Sequence, residues 1–127
     1  MIGYVTLGTN DFDKAAAFYD NITAVMGGKR IMEGDTFIAW GNDPNQAAVS
    51  IIKPNDGKTA TVGNGMMVAL TVNSIELVDQ IHATALAAGG TDEGAPGERF
   101  PGFYAGYFRD LDGNKLNAFC MSHPDQS

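Results

Sequence analysis

The feature that most constrains this chain is a repeat. Two stretches read in the same order: a strand, a helix, then three strands. In the first, residues 4–9 form a short strand, and Phe12, Ala15, Ala16, Tyr19, Ile22 and Met26 recur at helical spacing behind it. Asn10 or Asp11 can cap that helix, Asp13 sits in its first turn, and Gly27-Gly28 ends it. Residues 29–33 and 36–41 read as a hairpin around Gly34-Asp35, and residues 47–53 as a fourth strand. In the second stretch, residues 67–72 precede a helix capped by Ser74, with Leu77, Val78, Ile81, Ala85 and Leu86 as its buried stripe and Gly89-Gly90 as its stop. Residues 91–102, with two prolines, read as loop or irregular strand, and residues 104–109 and 115–121 as a closing hairpin. Between the repeats lies a polar, Gly-rich stretch, 54–65.

The duplication holds in register. A shift of 63 positions (67 − 4) carries Tyr4 onto Met67, Leu7 onto Leu70 and Asn10 onto Asn73. In the later strands a shift of 67 (117 − 50) carries Trp40 onto Tyr107, Asp43 onto Asp110 and Ser50 onto Asn117. Identity is low, but apolar positions coincide, as in a tandem repeat of one βαβββ unit.

Alternation then sorts side chains by face. Val5, Leu7, Val49, Ile51, Val68, Leu70, Val72, Leu116, Ala118 and Cys120 make a uniformly apolar set that should pack on the helices. Tyr4, Thr6, Ser50, Ile52, Met67, Ala69, Tyr107, Asn117 and Phe119 make a mixed set. A mixed face opposite an apolar one is expected where one side is core and the other a site. Ser50 or Asn117 buried there without partners would cost roughly 1–3 kcal/mol each, so water or a ligand should satisfy them.

The closing hairpin carries a recognisable turn, Tyr107-Phe-Arg-Asp-Leu-Asp-Gly-Asn-Lys-Leu-Asn117, in which Asp110 and Asn114 can bond local backbone and Gly113 can take positive φ. It resembles the closing segment of the glyoxalase, bleomycin-resistance and extradiol-dioxygenase group, the vicinal oxygen chelate superfamily. That family has Pro where Leu111 stands and a metal-binding Glu where Asn117 stands. The opening segment, from Val5 to Tyr19, and the Gly63-Asn-Gly-Met-Met-Val-Ala-Leu70 stretch are similar to the starts of its two modules. The resemblance implies an α+β, glyoxalase-like fold in one domain: tandem modules at about 2–55 and 65–121 form an incomplete barrel with helices outside and a ligand inside. It further implies pairing as a homodimer.

The resemblance also implies four metal-ligand positions, which fall on Tyr4, Ser50, Met67 and Asn117. A thioether, an amide, a hydroxyl and a phenol are a poor set for a divalent ion, so no metal and no other cofactor is expected. His82, one position past Ile81, reads as a surface histidine, His123 as a solvated tail residue, and Cys120 as an inert core thiol. Asp110 and Asp112 read as turn-forming carboxylates, too few for a calcium loop. Arg109 reads as a surface partner for Asp110, Asp112 or Glu98.

Composition narrows the partners. The 127 residues carry a net charge of −7, against nucleic acid or an anionic membrane as partner and compatible with a cationic ligand. A single cysteine excludes an internal disulfide, and no apolar run approaches the roughly 20 residues of a membrane span. With no basic-then-apolar leader pattern, the cytoplasm is the expected compartment.

The reading is a small-molecule binder whose hollow is lined by Tyr4, Thr6, Trp40, Ser50, Met67, Tyr107, Asn117 and Phe119. Two alternatives stand beside it. One is a metal-dependent lyase, isomerase or dioxygenase of the glyoxalase group; without metal, its acid–base work would fall to Tyr4, Tyr107 or Glu98. A phenol with an ordinary pKa of about 10 is a poor base at neutral pH. The other is a non-catalytic dimeric accessory protein.

Overall fold

The repeat is expressed strand for strand in a computed structural model, which describes residues 1–121. In the first module β1 (Tyr4–Gly8) leads into α1 (Phe12–Val25), then β2 (Lys29–Glu33), β3 (Phe37–Gly41) and β4 (Ala48–Ile52). The second follows as β5 (Val68–Thr71), α2 (Ile75–Ala87), β6 (Thr91–Phe100), β7 (Phe103–Arg109) and β8 (Lys115–Met121). The tail carrying His123 lies outside the described residues.

Each module makes a mixed four-stranded sheet, ordered β1-β4-β3-β2 and β5-β8-β7-β6, with the first strand parallel to the last. The crossover that a parallel pair requires is the helix and hairpin between them. Asp11 caps α1 by accepting from Lys14 N–H, and Ser74 caps α2 by accepting from Leu77 N–H. Gly27 and Gly89 follow the helices at φ 76° and 102°, a conformation that a Cβ disfavours. Residues 91–100 are a strand, though its pairing with β7 slips register three times.

Each helix lies on one face of its own sheet, and the two helices pack on each other. One core therefore runs through both modules, centred on Phe18, Tyr19, Ile22, Trp40, Ile81, Phe108 and Leu116. Phe18 meets Tyr19 edge-on at 5.1 Å and Phe108 at 6.4 Å between ring centroids. The sheets do not close into a barrel within one chain. Their helix-free faces stay open.

On α2 the buried stripe differs from the sequence reading. His82 is 6% exposed and Leu86 is exposed. His82 follows Val78 by four residues and precedes Ala85 by three, which places it on the buried side.

The turn between β7 and β8 does more than reverse the chain. Asp110, buried, accepts from the backbone N–H groups of Asp112 and Asn114, both at 2.9 Å, from Asn114 Nδ2 at 3.0 Å, and from the Tyr19 hydroxyl at 2.6 Å. Asn114 Nδ2 also donates to Gly8 O, and Asn10 N–H donates to Asp112. The second module is thereby fastened to the β1–α1 junction of the first. Burial, then the Asp110 charge, raises the Tyr19 phenol well above its usual value, so it stays a donor.

Asp20 on α1 ties the other edge. It accepts from Arg30 Nε and Nη2 and from Trp40 Nε1 at 2.8–2.9 Å. Arg30, and to a lesser degree Trp40, hold its carboxyl below the ordinary carboxylate value. A depressed folded-state pKa means that this stabilisation is present above about pH 4 and is lost as pH falls through the folded value. Half-exposed, the pair contributes under about 1 kcal/mol. Asp20→Asn should therefore flatten the acid limb of a stability–pH profile slightly and leave neutral stability within about 1 kcal/mol of wild type, read by urea denaturation from pH 2.5 to 7.

Candidate functional site

On the open face of the first sheet, Tyr4 stands beside Ala48, and Thr6 beside Ser50, which is followed across β3 by Ala39. Tyr4 is 66% exposed. Ser50 is buried, but its hydroxyl is fully used: it lies 2.8 Å from Thr6 Oγ1 and donates to Val5 O at 3.1 Å. The expectation that Ser50 awaits a ligand or water is corrected by these bonds.

Trp40 is also corrected. It pairs with Val49 on the helix side, is fully buried, and stacks near Tyr19 at 5.4 Å between centroids. The reason is loop length. Six residues (42–47) join β3 to β4, whereas five (110–114) join β7 to β8. The shift that superposes Ser50 on Asn117 is therefore one residue out for the strand before, and a slip of one exchanges the faces. The structural counterpart of Tyr107, beside Asn117, is Ala39, beside Ser50.

The second sheet is richer. Asn117 lies between Ala69 on β5 and Tyr107 on β7. It is 2% exposed, and among the described residues its Oδ1 has no hydrogen-bond partner. Phe119, two residues on, shares the face beside Thr71 and Ala105. Met67, just before β5, is 43% exposed. The Arg99 guanidinium and the Lys115 ammonium stand 5.3 and 5.6 Å from the Tyr107 ring centroid. Arg109 bonds Glu93 and Gly113 O, not the partners anticipated from sequence. Glu98 pairs with Tyr104, which shares the opposite face with Cys120, so it stands away from Tyr107 and Asn117.

His82, expected at the surface, is buried behind this face. Its Nε2 lies 3.0 Å from Asp92 Oδ1 and 3.2 Å from Tyr107 O. A carbonyl only accepts, so Nε2 carries the proton. The Gly94 N–H and then His82 hold the Asp92 carboxyl below its usual range. Gly106 makes the room, since a Cβ there would lie 3.2 Å from His82 Cδ2. His82 thus braces the strand that presents Tyr107. Cys120 faces the helices and is buried, and burial raises its thiol pKa.

The four positions where the resemblance puts metal ligands divide between the two sheets, Tyr4 and Ser50 on one, Met67 and Asn117 on the other. Their donors are neutral, and the Ser50 hydroxyl is already committed to Thr6 and Val5. They do not fit a catalytic divalent ion. Among the described residues no group of three or more His, Cys, Asp or Glu side chains is placed to hold one. No helix among them is long and apolar enough to cross a membrane. A cleft of about 370 Å³ lies between the modules, lined by Met26, Asn42, Gln46, Val72, Asn73 and Leu77 among others.

Residues 1–118 match the family model described as Glyoxalase/Bleomycin resistance protein/Dioxygenase superfamily. Among solved structures, a glyoxalase/bleomycin resistance protein from Albidiferax ferrireducens is 32% identical, with 96% of this chain and 99% of that one covered and a TM-score of 0.89. A hypothetical protein from S. aureus is 28% identical over 94% and 92%, with a TM-score of 0.70. A lactoylglutathione lyase from Agrobacterium tumefaciens shares the fold at 20% identity over 94% and 92%, with a TM-score of 0.67. No curated protein matches the chain significantly.

Proposed function

The chain belongs to the glyoxalase/bleomycin resistance protein/dioxygenase superfamily, and from that premise we propose that it binds a small organic molecule on the open face of its second sheet, without the divalent ion, as a homodimer. The observation that carries this reading is the buried Oδ1 of Asn117, which has no partner among the described residues. A carbonyl oxygen so placed costs roughly 1–3 kcal/mol. A ligand that donates to it recovers that cost, and Tyr107 beside it offers a ring to lie against.

The same open faces support the dimer. Tyr4, Met67 and Phe100 leave large apolar surfaces to solvent. A second copy laid over them would cover those side chains and turn two open faces into one enclosed hollow. Sedimentation equilibrium should return twice the chain mass at micromolar concentration; a monomer there would remove this part of the reading.

The decisive substitution is Asn117→Leu, which is nearly isosteric and removes the unpaired oxygen. If Asn117 is kept for a ligand, the variant should be more stable than wild type by about 1 kcal/mol in urea denaturation. It should also lose the thermal shift that a binding compound gives the wild type. A loss of stability would mean that Asn117 serves the fold. Because the donor set does not suit a metal, a chelator should leave that ligand-induced shift unchanged.

A further inference from the structure

Resting on that binding reading, we propose that the ligand is a small aromatic anion: its negative group meets Lys115 and Arg99, its ring lies along Tyr107 and the neighbouring phenylalanines, and a hydroxyl or N–H donates to Asn117 Oδ1. The chain as a whole is acidic, with 15 Asp and Glu against 8 Lys and Arg. Two of those eight cations nevertheless gather around one ring. Lys14, Arg30 and Arg109 each sit against a carboxylate. Among the described residues the other five cations, Lys29, Lys53, Lys58, Arg99 and Lys115, have no carboxylate within ion-pair distance; of these, Arg99 and Lys115 share one ring, and Arg99 donates only to Ala95 O. Two cations beside one ring make its surroundings favourable for an anion.

The arrangement is built into the strands. Arg99 reaches Tyr107 across two glycines. A Cβ on Gly94 would lie 3.3 Å from Arg99 Nη2 and 3.3 Å from Tyr107 Cδ1, and one on Gly97 would lie 3.0 Å from Arg99 Nη1. Lys115 comes from β8, two residues before Asn117 on the same face. A second copy would not neutralise these charges with its first sheet, because the open-face positions of β1, β3 and β4 carry no carboxylate.

The apolar wall lies on the same face. Phe100 stacks on Phe103 at 4.7 Å, and Phe103 on Phe119 at 5.4 Å. An aromatic body suits that ladder. Net charge alone favours a cationic ligand. The local charges around Tyr107 reverse that preference.

The test is a titration of the ¹⁵N-labelled full chain, followed by amide shifts, with three probes of one shape: 2-hydroxybenzoate, its neutral amide, and 2-hydroxybenzylamine. The anion should bind at least tenfold tighter than the amide, with shifts centred on Tyr107, Lys115 and Asn117. The amine should not bind. Arg99→Gln, at an exposed position, and Lys115→Gln, at a half-buried one, both checked for folding by thermal denaturation, should each weaken the anion about tenfold, the effect of one charge-assisted contact. If the amide or the amine binds there as tightly as the anion, the charge preference is overturned while small-molecule binding stands. If none of the three perturbs this face, both readings fail.

Discussion

Asp110→Ala should destabilise the protein by about 3–5 kcal/mol, near the top of the range for single substitutions. Four donors converge on this one buried carboxylate, two of them from backbone N–H groups. Bonds to a charged acceptor contribute about 1.5–3 kcal/mol each, and their sum is reduced because they act as a unit. The variant also leaves the Tyr19 hydroxyl buried with nothing to donate to. Tyr19→Phe, which removes one donor and leaves three, should cost about 1–2 kcal/mol. Asp43 is the control. The repeat places it opposite Asp110, yet it is exposed and among the described residues its side chain bonds only its own loop, at Asn45 N–H. Asp43→Ala should stay within about 0.5 kcal/mol of wild type. Guanidinium denaturation of the three variants decides it; equal midpoints for Asp110→Ala and Asp43→Ala would show that the turn does not fasten the modules.

Trp40→Ala should cost about 3–5 kcal/mol, because it empties the largest fully buried side chain in the core. It also strips Asp20 of one donor. Trp40→Phe keeps most of the packing, loses the indole N–H, and should cost about 1–2 kcal/mol. The informative readout is binding. With Trp40 on the helix side, Trp40→Phe should hold 2-hydroxybenzoate as tightly as wild type at a temperature where both are folded. A several-fold loss would return Trp40 to the ligand wall and refute the register derived above.

The two modules obey one plan but not one chemistry. Where the first module receives the Asp110 turn at Gly8 and Asn10, the second presents Val72 and Asn73 to residues 42–46, and a cleft opens instead of a latch. The repeat is thus symmetric in backbone and asymmetric in what joins it.

Much of this was legible in the chain. Helical spacing in α1 and α2, alternation in β1, β4, β5 and β8, the caps at Asp11 and Ser74, and the glycine stops are properties of near neighbours. They identified both modules and put Tyr107, Asn117 and Phe119 on one face. Trp40 faces the helices and not the hollow because one extra loop residue changes face, and loop length is not encoded in the hydrophobic period. The spacing of His82 from Val78 and Ala85 already puts it on the buried side of α2; what the chain does not record is the room that Gly106 leaves for an imidazole there.

The sequence alone determined the doubled βαβββ order and the apolar helix-side faces, since each depends on local periodicity; residue identity made a poor donor set of the positions where the resemblance puts metal ligands. Only the tertiary structure decided which polar groups are satisfied and by whom. Ser50 finds Thr6 across 44 residues, Asp110 finds Tyr19 across 91, and Asn117 Oδ1 finds no partner among the described residues. Hydrogen bonds between distant segments depend on ångström-scale approach in three dimensions, and no pattern along the chain records that distance.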